Sequence, residues 1–178
     1  MSSLITKPLN AEPRIDTDTL VVIRDDDALP VTGEFVVSLK RWQEQKETLA
    51  PLAKAGRAGV YLLPEDNPEL LQDDAALLPR IAYEFPVFKF GQGYSDAYLL
   101  RKRYGFAGRL RAFGDIWRDQ LFYLARVGFD EFLIKEGKSV EDALNGFKDF
   151  SISYAHSTDS DDSVFNRRHG VQPQRSAA

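Results

Sequence analysis

Apolar positions along this chain fall into short blocks separated by polar, glycine- and proline-marked stretches. Leu20-Val21-Val22-Ile23-Arg24, Glu34-Phe35-Val36-Val37 and Gly59-Val60-Tyr61-Leu62-Leu63 are branched and aromatic runs of strand length. Arg80-Ile81-Ala82-Tyr83-Glu84-Phe85, Arg109-Leu110-Arg111-Ala112-Phe113 and Asp130-Glu131-Phe132-Leu133-Ile134 continue the series. In the fifth run charge and apolar positions alternate, which predicts a strand with one exposed face.

Helical spacing fills the gaps. Ser38 stands as an N-cap before Leu39, Trp42, Leu49 and Ala53 on one side, with Trp42 as a core anchor. Ser95 to Arg103 forms a second helix, with Ala97, Leu99 and Leu100 apolar. Asp115 caps a third running to about Arg126, and Gly128 stops it. Ser139 opens a fourth, with Val140, Ala143, Leu144 and Phe147 facing inward. Residues 65–80 form a connection with weak helical content.

Strands alternating with helices over residues 59–150 predict an α/β fold. Its sheet is mostly parallel and built from successive βα units, as a half-barrel or an open doubly wound sheet. Residues 1–18 are expected as a flexible N-terminal arm, 19–154 as a single α/β domain and 155–178 as a disordered tail. Asp25-Asp26-Asp27 reads as a solvated turn.

Composition narrows the chemistry. Among 178 residues there is no cysteine, so disulfides, thiolate nucleophiles and thiolate–metal sites are excluded from this chain. The two histidines, His156 and His169, fall in the polar tail, and no metal site is expected. A formal charge of −4 argues against nucleic acid as the main partner. No apolar run approaches the roughly 20 residues of a membrane-spanning helix. The first residues lack a secretory pattern, so a cytoplasmic location is expected. No cofactor is encoded by a recognisable motif.

Two glycine-marked bends follow strand runs and open helical patterns. In a parallel sheet both would lie on the strand-end rim, where α/β folds hold ligands. In the first, Gly93, Tyr94 and Ser95 offer backbone amides to an anion, or form an ordinary turn. In the second stand Gly114, Asp115, Arg118 and Gln120, with Arg118 able to clamp an oxyanion or to pair with a carboxylate. Glu84 and Asp119 are the candidate proton carriers. Arg101, Lys102, Arg103, Arg109 and Arg111 cluster in sequence, as a docking patch for an acidic partner or as solvated faces.

Residues 84–133 resemble the bacterial domain-of-unknown-function family 934. The resemblance rests on Glu84-Phe85-Pro86, Gly91, Gly93-Tyr94-Ser95, Leu99-Leu100-Arg101, Tyr104-Gly105, Leu110-Arg111-Ala112, Gly114-Asp115, Arg118-Asp119-Gln120-Leu121 and Gly128-Phe129-Asp130. Asp149-Phe150-Ser151, Phe165 and Arg167-Arg168 extend it. Members of that family are associated with sulfite reduction and often described as oxidoreductases. Their genes neighbour those of the sirohaem-containing sulfite or nitrite reductase. The resemblance therefore implies an accessory role in sulfide production for cysteine, with that reductase or its electron donor as partner. An oxyanion-binding oxidoreductase is the alternative it leaves open. Phe90, Gln92, Tyr98 and Val127 depart from the family pattern, three of them around the first bend, which makes Gly114 to Gln120 the stronger site candidate.

Overall fold

The computed structural model describes residues 3–9, 11–24, 27–87, 89–150, 153–154, 156–159 and 163–170, without the side chain of Phe165. Asp25, Asp26 and Ser151 lie outside the described residues. The strands are β1 (Ser3–Thr6), β2 (Arg14–Thr17), β3 (Val21–Val22), β4 (Phe35–Ser38), β5 (Ala58–Leu62), β6 (Arg80–Phe85), β7 (Arg109–Gly114) and β8 (Glu131–Phe132). The helices are α1 (Leu39–Glu44), α2 (Lys46–Lys54), α3 (Gln92–Lys102), α4 (Leu121–Val127), α5 (Val140–Ala143) and α6 (Val164–Arg168).

The described strands make one sheet in the order β2-β1-β8-β7-β6-β5-β4-β3. From β3 to β8 every neighbour is the next strand in sequence and every pairing is parallel. Right-handed crossovers that always step the same way put successive helices on one face of the sheet. The result is a curled half-barrel with no reversal of strand order. A doubly wound sheet would need such a reversal, and its switch-point crevice is absent here.

Period-two alternation sorts the strand residues between the faces. Phe35, Val37, Val60, Leu62, Ile81, Tyr83, Phe85, Leu110, Ala112 and Phe132 enter the large core beneath the helices. Val36, Tyr61, Ala82 and Phe113 form a smaller cluster on the concave face. Trp42 is fully buried in the large core, where its indole N–H donates to Asp74 at 2.8 Å.

Three expectations change. Ser3–Thr6 and Arg14–Thr17 are not a loose arm: as β1 and β2 they pair antiparallel, and β1 closes on β8. The hairpin is too short and polar to read as strand from its sequence, and long-range pairing with β8 stabilises it. β7 has no exposed face, because Arg111 is buried in ion pairs and Arg109 is the exposed strand end. Part of the tail also returns. Ser157 and Thr158 donate to the Arg126 carbonyl, Asp159 pairs with Arg126, and α6 follows.

Candidate functional site

The two bends do share a rim. Phe85 and Gly114 are register partners at the ends of β6 and β7, and the Asp115 amide donates to the Phe85 carbonyl at 2.7 Å. This approach leaves no room for a side chain at Gly114, whose φ of 102° also favours glycine.

The first bend is packed rather than open. α3 begins at Gln92, three residues before the expected start, so Gly93 sits inside the helix. A Cβ there would meet the Phe85 ring at 2.6 Å and the Tyr83 ring at 2.7 Å, so the glycine is required by packing. Tyr94 stacks edge-on with Phe85, and its hydroxyl is raised in pKa by burial against a hydrogen bond to Gln120. Ser95 lies within α3, exposed on its outer side. Asp96 accepts from the Tyr83 hydroxyl at 3.0 Å, and burial raises the pKa of both groups. Asp96 therefore holds α3 to β6.

The second bend is likewise closed by its own residues. Asp115 does not cap a helix. Its carboxylate accepts from the Trp117 indole at 2.6 Å and from Lys135 at 2.8 Å. The helical start falls at a 3-10 turn, Arg118–Gln120, where the buried Gln120 side chain accepts from the Trp117 amide at 2.9 Å. Arg118 pairs with Asp142 at 2.9 Å and Asp149 at 3.0 Å. Asp119 is exposed.

Glu84 points onto the concave face. Arg24, from the far edge of the parallel sheet, reaches across the Tyr61 ring and grips it in a bidentate pair at 2.7 and 3.0 Å. The hydrogen bond to Glu84 is the main reason the Arg24 pKa rises. The structure thus brings Glu84 together with Arg24 and Tyr61, and Arg118 together with Asp142 and Asp149. No short-range pattern links Arg24 to Glu84, sixty residues away, so the sequence carries no signal of this clamp.

The basic cluster disperses on folding. Arg101 is largely buried, donating to the carbonyls of Gly128, Phe106 and Gly108 and to Asp130. Arg111 is buried between Glu131 and Asp18. Lys102 and Arg103 are exposed at the end of α3, whereas Arg109 pairs with Glu131 on the concave face. They do not form one surface patch.

One surface feature escaped the sequence reading. Phe122, Tyr123 and Phe150 form a triangle of rings with centroids 5.0–5.6 Å apart. Tyr123 and Phe150 are 47% and 48% exposed. The triangle lies beside the Arg118–Asp149 pair, since Asp149 precedes Phe150 in the chain. Phe122 and Tyr123 read as ordinary helix positions, and only the return of residue 150 makes them a patch.

Residues 59–165 match the family described as "Bacterial protein of unknown function (DUF934)". The chain belongs to this family. No curated protein and no solved structure matches it. In this DUF934 chain the match covers both bends, the aromatic triangle and β8, while β1 to β4 and Arg24 precede it. Among the described residues no group of three or more acidic or histidine side chains is arranged as a metal site. No described helix is long and apolar enough to cross a membrane.

Proposed function

We propose that this DUF934 protein is a cytoplasmic accessory protein of assimilatory sulfite reduction, and that it docks on the sirohaem-containing sulfite or nitrite reductase or on that enzyme's electron donor. The triangle of Phe122, Tyr123 and Phe150, with the last two rings exposed, is the observation that carries the binding role. Isolated exposed aromatics are common, but two exposed rings in contact with each other and with a half-buried third make an apolar patch of the kind that anchors partners. The choice of partner rests on the family resemblance.

The alternative, an oxyanion-binding oxidoreductase, draws less support. Its clamp, Arg118, is engaged by two carboxylates, and of its two candidate proton carriers Glu84 is gripped by Arg24 while Asp119 is exposed. A ligand at that rim would first have to displace these pairs. Size-exclusion chromatography of the purified chain with the reductase, and separately with its electron donor, tests the proposal. A complex with either supports it; elution as separate components at both low and moderate ionic strength would reject it.

A further inference from the structure

At the opposite end of the strands from the rim, a cavity of about 670 Å³ opens between the loop after β1, the end of α3 and the returning tail. That volume lies in the range of roughly 300–1,000 Å³ typical of small-molecule sites. Its walls combine apolar surface, from Leu9, Ala107 and Ala125, with Lys7, Arg101 and Lys102.

The charges around it do not cancel. Arg101 is matched by Asp130 at 3.0 Å, and Asp159 by Arg126 at 3.2 Å. Lys7 and Lys102 have no carboxylate partner among the described residues. Two unmatched ammonium groups thus line one cavity in a chain of net charge −4. Arg101 is meanwhile locked by three backbone carbonyls, which makes that wall rigid before any ligand arrives.

We infer that this cavity binds a small organic phosphomonoester, its phosphate between Lys7 and Lys102 and its apolar body against Leu9, Ala107 and Ala125. A phosphomonoester carries close to two negative charges at neutral pH, which equals the local surplus. The volume exceeds that of a bare phosphate ion several-fold, so the organic body has a place to lie. This site is distinct from the aromatic triangle and does not depend on the docking role.

The test is a titration of the ¹⁵N-labelled full chain with phenyl phosphate and with AMP, following amide shifts, with phenol, adenosine and inorganic phosphate as controls. Saturable shifts at Lys7, Lys102, Gly128 and Asp159 are expected with the esters, with affinity at least about tenfold above any control. The Lys7→Ala/Lys102→Ala variant, altered only at side chains with no ion-pair partner among the described residues, should lose about tenfold or more in affinity while its spectrum stays folded. Absence of saturable shifts with both esters would overturn the inference. So would inorganic phosphate binding as tightly as the esters, or unchanged affinity in the double variant.

Discussion

Arg111 and Glu131 face each other as register partners on β7 and β8, with their side chains 2.9 Å apart and both almost wholly buried. Glu131 also accepts from Arg109 at 2.9 Å and lies 3.4 Å from Arg80, while Arg111 reaches Asp18 at 2.7 Å. Arg80 in turn pairs with Glu34. This network lines a cavity of about 340 Å³ at the lower end of the half-barrel and ties the segment before β3 to the sheet. Burial alone would raise the Glu131 pKa, but Arg80, Arg111 and Arg109 outweigh it and hold it below the usual carboxylate value.

Removing that carboxylate takes the shared counter-charge from Arg80, Arg109 and Arg111, leaving the buried Arg111 with Asp18 alone and Arg80 with Glu34 alone. Glu131→Gln is expected to destabilise the protein by about 3–5 kcal/mol in urea unfolding. Because the folded pKa is depressed, the stabilisation is full above the unfolded value and is lost as pH falls through the folded one. The wild type should therefore approach the variant in acid. A cost under about 1 kcal/mol at neutral pH would show that the network contributes little.

Gly93→Ala tests the packing of the first bend. The added methyl meets the rings of Phe85 and Tyr83, both confined in the core. A loss of about 1–3 kcal/mol is expected, although alanine is the better helix former. Stabilisation in thermal unfolding would mean that the bend is looser than described.

Asp130 gives the protein a distinct pH response. Burial pushes its pKa up to about 6, against the pull of Arg101 and the Leu110 amide. With a folded pKa above the unfolded one, the folded state binds more protons, so this contribution is present below about pH 4 and fades as pH rises through about 6. Asp130→Asn should remove that slope, and the stability difference between the two proteins should change by roughly 1–3 kcal/mol across the window. Parallel stability curves from pH 4 to 7 would contradict the assignment.

Much of this architecture was legible in the sequence, because its determinants are local. The largely apolar run at 80–85 and the alternating run at 109–113 became β6 and β7. Ser38 and Ser139 cap α1 and α5 as their positions suggest, and Gly128 ends α4 with a φ of 113°. The sequential parallel order also puts both bends on one rim, as the alternation implied. What the sequence hid depends on distant partners. The β1–β2 hairpin is specified by β8, Arg24 finds Glu84 across two intervening strands, and Phe150 completes a patch begun by Phe122. Arg101 and Arg111 looked like surface cations because basic residues usually are. Their carboxylate partners lie 20 or more residues away.

Glu84→Gln separates a structural carboxylate from a chemical one. The Arg24–Glu84 pair is partly exposed, so its loss should cost only about 0–1 kcal/mol. Binding of the reductase or electron donor, measured by calorimetry, should stay unchanged. Loss of binding without loss of stability would move the functional surface to the concave rim.

The docking role is tested most directly by calorimetric titration of the reductase and of its electron donor with wild-type chain and with Tyr123→Ala/Phe150→Ala. Both side chains are about half exposed, so the variant should fold as the wild type does. Wild-type chain should bind one of the two, and the variant should bind it more weakly by about 2 kcal/mol or more, the scale of an interface hot spot. Equal affinity for wild type and variant, or no binding by the wild type to either protein, would contradict the account.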